Sequence, residues 1–192
     1  MSMTANLIGL YSPAAGSGKT TLALGLRGHG YVRCRFADPL KAMLSAFLTH
    51  QGEHPDMVAR MLDGDLKETP AATLAGRTPR HAMHCLGTEW GRDCMAPDIW
   101  VNAAMMRAGD EIEAGRRVVF DDMRFENEAA AIKRAGGMLV RITRPGLRRQ
   151  AGEHTSEGAL DGWQFDLEIT NDAGCPRAFV LDACAAIARA GG

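Results

Sequence analysis

Hydrophobic residues in this chain form short runs separated by longer amphipathic stretches. Most of the short runs are apolar at nearly every position, which is typical of strands buried on both faces. The run Tyr31–Phe36 instead alternates apolar and charged residues and therefore predicts a strand with one polar face. The predicted strands cover residues 7–11, 31–36, 117–122, 138–143 and 167–170.

Between the predicted strands, apolar residues recur at helical spacing. The clearest stripe follows Asp38, a predicted N-cap, and Pro39, a predicted first helical residue. It comprises Leu40, Met43, Leu44, Phe47 and Leu48. Thr78 repeats this start signal and predicts a helix that runs to about Gly87. Other helices are predicted over residues 19–28, 55–62, 97–109 and 129–135, and from residue 176 onwards.

The order of these elements is that of an α/β protein. No repeat, linker or low-complexity block divides the chain, so we predict a single domain over residues 1–192. Right-handed crossovers between parallel strands place helices on both faces of a sheet. We therefore predict a three-layer α/β/α fold with a central parallel sheet of about five strands. In such folds ligands bind at the carboxyl ends of the strands.

The first predicted strand is followed by Gly16-Ser-Gly-Lys-Thr20, the second half of a Walker A motif. In that motif glycines let the backbone approach the phosphates of a nucleotide, and backbone N–H groups bind them. The lysine reaches the β- and γ-phosphates, and the threonine hydroxyl binds Mg²⁺. The predicted ATP site comprises Ala15, Gly16, Ser17, Gly18, Lys19, Thr20 and Thr21.

Pro13 departs from this motif, which begins with a glycine at that position. Proline fixes φ and has no backbone N–H. We therefore expect a stiffer entrance to the loop, with one hydrogen-bond donor fewer.

Charged side chains follow the third predicted strand. Asp121 and Asp122 end it, as in a Walker B strand, whose carboxylate holds Mg²⁺ directly or through water. We predict that Thr20 and Asp121 form a magnesium site. Because the carboxyl ends of parallel strands share one edge, several groups that follow strands are expected there together. They are the Walker A loop, Asp38, Asp121, Asp122, Arg124 and Arg144.

Composition excludes several classes of protein. The net charge of −1 and the lack of a long basic cluster predict no nucleic-acid partner. The five cysteines include no C-x-x-C pair and indicate reduced thiols. His81 and His84 lie beside Cys85 without a second ligand pair, so zinc is not favoured. The longest apolar run is too short to cross a bilayer, and we expect a cytoplasmic protein without a membrane partner.

Several motifs occur in the order known from one family. They are Gly16-Ser-Gly-Lys19, Phe36-Ala-Asp-Pro-Leu-Lys41, Pro79-Arg80 with Leu86-Gly-Thr-Glu-Trp-Gly-Arg92, Asp122-Met-Arg-Phe-Glu-Asn-Glu128, Arg144-Pro-Gly146, His154-Thr-Ser-Glu157 and Asn171-Asp172. This ordered set resembles the bacteriophage deoxynucleoside monophosphate kinases, a branch of the P-loop kinases, and leaves residues 49–76 unmatched.

The resemblance implies transfer of the γ-phosphoryl group of ATP to a deoxynucleoside monophosphate (dNMP), with Mg²⁺ as cofactor. It implies that the catalytic residues are Lys19, Asp122, Arg124 and Arg144. The residues that it implies for binding the dNMP are Asp38, Lys41, Arg80, Gly87, Thr88, Trp90, Trp100, Asp122, Arg124 and Glu128.

An insertion, a lid and an oligomeric state are predicted as well. A helical insertion around residues 40–110 covers the acceptor, and a lid-like loop around residues 144–160 closes over the transferred group. Arg144, Arg148 and Arg149 lie in this lid. Related enzymes suggest a homodimer, and a phage-encoded protein works in the host cytoplasm.

Some readings stay open at this point. The acceptor is either a dNMP or another small phosphorylated molecule such as dephospho-coenzyme A. Alternatively, the chain is a nucleotide-binding switch with negligible transfer, or a P-loop protein made deficient by Pro13. Trp100 is either a core residue or the wall of a base pocket. Residues 86–92 either present groups to a ligand or form a turn between helices. Lys41 and the lid arginines either bind anions or are solvated surface groups.

Overall fold

The computed structural model describes residues 5–147, 159–172 and 174–191. The chain folds into two compact units. Unit 1 is formed by the chain up to Phe36 and from Met105 onwards, and unit 2 is formed by Ala37–Ala104.

Unit 1 is built on a parallel sheet. Its strands are β1 (Leu7–Tyr11), β2 (Tyr31–Cys34), β3 (Arg117–Phe120), β4 (Met138–Thr143) and β5 (Leu167–Thr170). They lie in the order β2-β3-β1-β4-β5, and every neighbouring pair is parallel. The α-helices of the chain are α1 (Lys19–Leu26), α2 (Asp38–His50), α3 (Pro55–Asp63), α4 (Pro79–Cys85), α5 (Ile99–Glu113), α6 (Glu126–Arg134) and α7 (Pro176–Ala190).

Helices cover both faces of this sheet, so the predicted three-layer α/β/α fold is confirmed. On one face, Ile8 and Leu10 of β1 form a buried cluster with residues of α1 and α7, among them Leu22 and Phe179. On the other face, a Cβ added to Gly9 would lie 2.6 Å from the Ile132 side chain of α6. Ile132 can pack this close to β1 because Gly9 has no side chain.

Several element boundaries differ from those predicted. The strand predicted over residues 31–36 ends at Cys34. The helix predicted to end near Gly109 continues to Glu113, and the positive φ typical of a helix end occurs at Gly115, with φ 76°. The helix predicted from residue 129 begins at Glu126.

Asp38 is not the N-cap of α2, in contrast to the prediction. Ala37 holds that position without a side-chain cap, and Asp38 is the first helical residue. The carboxylate of Asp38 there still favours the helix, because it lies in the first turn of the helix dipole.

Unit 2 consists mainly of helices. Leu44 and Leu48 of α2 pack with Val58, Met61 and Leu62 of α3 in one buried cluster. The predicted cap of α4 is confirmed, because the Thr78 hydroxyl accepts a hydrogen bond of 3.1 Å from the His81 N–H. Beyond α4 the chain continues as a π-helix over Leu86–Met95 rather than as a turn.

The five cysteines, all of which lie in the described parts of the chain, are free thiols. Among the helices of residues 5–147, 159–172 and 174–191, none combines the length and the apolarity that a bilayer crossing requires.

Candidate active site

The loop between β1 and α1 turns at its two glycines. Gly16 and Gly18 have φ values of 78° and 108°, a region that disfavours side chains. A Cβ added to Gly18 would lie 2.8 Å from Nδ2 of Asn171. Gly18 also holds the N-cap position of α1, where the backbone N–H groups and the helix dipole favour an anion. The backbone geometry of this loop therefore fits the predicted Walker A motif.

A cavity of about 290 Å³ opens beside this loop. It is lined by residues 16–21 together with Arg144, Asn171, Gly174, Cys175, Pro176 and Phe179. Of these, Arg144 donates a hydrogen bond of 3.2 Å from Nη1 to the carbonyl oxygen of Gly16. The predicted lid residue Arg144 thus lies against the loop. Its neighbours Arg148 and Arg149, and the segment 154–157, lie outside the described residues.

Asn171 has a structural role that the sequence did not predict. Its Nδ2 donates to the carbonyl oxygen of Ser17 at 2.8 Å, and its backbone N–H donates to the carbonyl oxygen of Thr143 at 2.7 Å. The residue therefore ties the loop to the end of β4. A signal was present, because Asn171 directly follows the last predicted strand, but nothing in the pattern named its partner.

The two residues predicted for magnesium are in contact. The Thr20 hydroxyl donates a hydrogen bond of 2.7 Å to Oδ2 of Asp121. Because the Thr20 hydroxyl donates its hydrogen to Asp121, the lone pairs of its oxygen stay available to a cation. Thr20 is also exposed, so a cation can reach it. Asp121 is only 4% exposed. The donor set fits a Mg²⁺ ion bound by the Thr20 oxygen, with Asp121 behind it as the acceptor that orients the hydroxyl.

Arg33 is a second residue that the sequence did not single out. Its Nε donates to Oδ1 of Asp121 at 2.9 Å, and its Nη2 lies 2.8 Å from Oδ2. Asp121 thus accepts hydrogen bonds at both oxygens. Such a two-point pair between guanidinium and carboxylate fixes the plane of the carboxylate.

The loop after β3 is held by its own carboxylates. Asp122 accepts a hydrogen bond of 2.9 Å at Oδ1 from the Phe36 N–H. Buried Glu128 accepts at Oε2 from the backbone N–H groups of Arg124 and Phe125, at 2.7 and 3.1 Å. Glu128 therefore fixes the backbone of Arg124 and caps α6, whose early start it explains.

Two of the basic residues predicted for the dNMP lie in unit 2 and have acidic partners. The Lys41 ammonium lies 2.5 Å from Oδ1 of Asp63, and the Arg80 guanidinium forms an ion pair with Glu68. The Lys41 side chain is 15% exposed, so it is not a solvated surface group. An anion that binds at these cations has to compete with the carboxylates.

Trp100 is a buried residue of unit 2, which favours the core reading. It is 3% exposed, and its Nε1 donates a hydrogen bond of 2.8 Å to the carbonyl oxygen of Gly87. Trp90 lies beside it, with 5.8 Å between the ring centroids, and is 37% exposed. Thr88 is partly buried, and Asp38 lies at the start of α2. A ligand contact of these residues stays a prediction.

The π-helix also changes the surroundings of Cys85. Glu89 is brought to His84 and Cys85, so that their potential ligand atoms lie within 4.8 Å of one another. The sequence had offered no such partner for this group. Burial and the hydrogen bond to Glu89 raise the pKa of the Cys85 thiol. The group is largely exposed, and polar side chains commonly gather in this way without an ion.

Comparison with known proteins gives one strong similarity. No family model matches the chain. A protein of Acanthamoeba polyphaga mimivirus named "Putative deoxynucleotide monophosphate kinase" is 32% identical over 182 residues, which cover 86% of this chain and 88% of the relative. At such coverage the similarity extends over nearly the whole of both chains.

Two solved structures are more distant. A sugar kinase from Janibacter sp. HTCC2649 has a TM-score of 0.46 at 15% identity, over 95% of this chain and 94% of its own. A dephospho-CoA kinase from Campylobacter jejuni has a TM-score of 0.41 at 14% identity, over 96% and 98%. Both TM-scores lie below 0.5, so these two structures add nothing to the description of the fold given by the order of the strands.

Proposed function

The chain belongs to the deoxynucleotide monophosphate kinase family of its mimivirus relative, and from this premise we propose that it phosphorylates a deoxynucleoside 5′-monophosphate. In this reaction the γ-phosphoryl group of ATP passes to the phosphate of the dNMP, and the products are ADP and the deoxynucleoside diphosphate. The reaction class of a phosphotransferase follows from the family, and the dNMP as acceptor is the proposal.

The observation that carries the proposal is the phosphate-binding loop with Thr20 hydrogen-bonded to Asp121 at the edge of a parallel sheet. A loop of this kind supports binding of a nucleoside triphosphate, since its N–H groups and Lys19 face the β- and γ-phosphates. Mg²⁺ bound at Thr20 would neutralise charge on the β- and γ-phosphates. Both substrates are anionic, so the protein has to neutralise and align them.

We assign the donor side to unit 1. Lys19 and the N-terminus of α1 serve the ATP phosphates. Arg144, which donates a hydrogen bond to the Gly16 carbonyl oxygen, is assigned to the transferred group. Arg124 is assigned to the acceptor phosphate, and Glu128 fixes its backbone. Asp122 acts indirectly by holding the Phe36 N–H, at the start of the Phe36–Lys41 motif.

We assign most of the acceptor side to unit 2. Lys41 and Arg80 are proposed to exchange Asp63 and Glu68 for the phosphate of the dNMP. Such an exchange is feasible because a dianionic phosphate offers more charge than one carboxylate. Asp38, Gly87, Thr88 and Trp90 are assigned to the sugar and base, and Trp100 supports Gly87 through its indole N–H.

An assay of ADP release tests this function. Release from ATP and Mg²⁺ is measured with no acceptor, with each deoxy- and ribonucleoside monophosphate, and with dephospho-coenzyme A. We expect release that depends on a dNMP, together with formation of the diphosphate. Equal release with and without any acceptor would contradict the kinase assignment. If ADP were released with dephospho-coenzyme A but with none of the nucleoside monophosphates, dephospho-coenzyme A would be the acceptor instead of a dNMP.

A further inference from the structure

Arg33 and Asp121 lie on the same face of the sheet as α1. Tyr31 and Val119 belong to the buried cluster under α1 and α7. Arg33 and Asp121 each follow one of these residues by two positions and thus share its side of the sheet. Arg33 pairs with Val119 in the register of β2 and β3. The two strands therefore place a guanidinium and a carboxylate side by side, where α1 begins with Lys19 and Thr20.

In the ion pair between these residues the carboxylate is buried and the guanidinium is partly exposed. The Asp121 side chain is 2% exposed and the Arg33 side chain 28%. The two charges cancel, and the carboxylate accepts hydrogen bonds from Nε and Nη2 of Arg33 and from the Thr20 hydroxyl. A buried carboxylate without its cation would be strongly unfavourable. Arg33 thus satisfies Asp121 before any ligand is present.

This pairing determines how a divalent cation can bind. A cation that bound Asp121 directly would have to displace Arg33 or lie next to its positive charge. The exposed Thr20 oxygen alone is a neutral ligand and binds Mg²⁺ weakly. The missing negative charge has to come from the ligand, and the phosphates of a nucleotide supply it.

We propose that Arg33 is a positioning residue that prevents free Mg²⁺ from binding at Thr20 and Asp121, so that the ion enters only together with the nucleotide phosphates. The proposal rests on the proposed function only in that Thr20 and Asp121 serve the metal of a nucleotide. Arg33 does not contact the transferred group. It keeps Asp121 oriented as the acceptor of the Thr20 hydrogen.

Binding of Mn²⁺ in the absence of nucleotide tests the proposal. Calorimetric titration compares the wild-type protein with Arg33→Met, which removes the charge and keeps a chain of similar length, and with Arg33→Lys, which keeps the charge. We expect Mn²⁺ to saturate Arg33→Met but neither the wild type nor Arg33→Lys. The affinity of Arg33→Met should be at least about tenfold above the upper limit that the titration sets for the wild type. Arg27→Met is the matched control, since Arg27 is exposed in the same unit, and should behave as the wild type.

A second variant covers the case in which Arg33→Met does not fold. Arg33→Gln removes the charge but retains an amide donor for Asp121, and it should gain the same Mn²⁺ binding. The double variant Arg33→Gln with Asp121→Asn should lose it again. Equal Mn²⁺ affinity of the wild type and Arg33→Gln, or saturable binding to the wild type, would overturn the proposal. No acceptor is present in these titrations, so their outcome is independent of the proposed dNMP specificity.

Discussion

At the scale of single residues, Lys19 and Arg124 are the side chains on which turnover should depend most. Lys19→Ala removes the cation assigned to the β- and γ-phosphates, and Arg124→Ala removes the cation assigned to the acceptor phosphate. We expect each change to lower kcat by about a hundredfold or more, because charge stabilisation in the transition state is lost. The measurement is steady-state ADP release with dNMP and Mg²⁺.

Arg134→Ala is the control for these two variants. Arg134 is exposed in the last turn of α6, outside the proposed site. Its replacement should leave kcat unchanged. Near-normal activity of Lys19→Ala or Arg124→Ala, with the variants still folded, would show that the site has been assigned to the wrong residues.

The residues that the sequence did not reveal share one property, which is that their partners are distant along the chain. The glycines of the loop were predictable, since their role depends on local backbone geometry. Arg33 contacts Asp121, 88 residues away, and Asn171 contacts Ser17, 154 residues away. Both contacts follow from the order of the strands in the sheet. A pattern along one chain does not contain that order.

At the scale of elements, the π-helix Leu86–Met95 depends on Gly91. A Cβ added at Gly91 would lie 2.6 Å from ring atoms of Trp100, whose indole N–H bonds to Gly87. Gly91→Ala should therefore lower the free energy of unfolding by about 1–3 kcal/mol through overpacking. Denaturation by urea measures this change.

Gly109→Ala provides a matched comparison within a helix. Nothing lies within 4 Å of a Cβ added at Gly109 in α5. Alanine there should be neutral or stabilise the protein by up to about 1 kcal/mol. If both substitutions had the same effect, the packing of Trp100 over Gly91 would not govern the stability of the π-helix.

Asp166 connects β4 with α6 and gives a prediction that depends on pH. Its Oδ2 accepts a hydrogen bond of 2.7 Å from the Leu139 N–H, and Lys133 donates to both oxygens at 2.8 and 3.0 Å. Burial on its own raises the pKa of Asp166, but these bonds outweigh it and the pKa is lowered. Because the folded pKa is the lower one, the ionised group stabilises the fold above the unfolded pKa, and this contribution is lost as the pH falls through the folded pKa.

Asp166→Asn removes this charge. The side chain is 37% exposed, so solvent screens the pair, and we expect a loss of only about 1 kcal/mol at neutral pH. The difference from the wild type should shrink as the pH falls below about 4. Urea denaturation at a series of pH values measures it. A difference that stays constant across the series would exclude the carboxylate charge as its source.

The elements show where sequence patterns succeed. The runs at β1 and β4 were predicted with their observed bounds, because runs of mostly apolar residues mark buried strands. Three features were not predictable in the same way. The start of α6 depends on the Glu128 carboxylate, α5 tolerates Gly109, and the π-helix depends on the contact between Trp100 and Gly87.

At the scale of the whole molecule, the loop proposed to bind ATP should couple nucleotide binding to stability. A ligand that binds only the folded state stabilises it by about 2.7 kcal/mol at a hundredfold excess over its Kd. We expect ATP with Mg²⁺ to raise the Tm of the wild type and of Arg134→Ala, and to have little effect on Lys19→Ala. Scanning calorimetry measures the shift. An equal shift in Lys19→Ala would place the nucleotide elsewhere.

The position of β1 within the sheet has one more consequence. β1 is hydrogen-bonded to β3 on one side and to β4 on the other. Each of its backbone amides is bonded to one of these two inner neighbours and exchanges only when the sheet separates on that side. In deuterium exchange the amides of Ile8–Tyr11 should be among the last to exchange, so the loop proposed to bind phosphate would extend from one of the most slowly opening parts of unit 1.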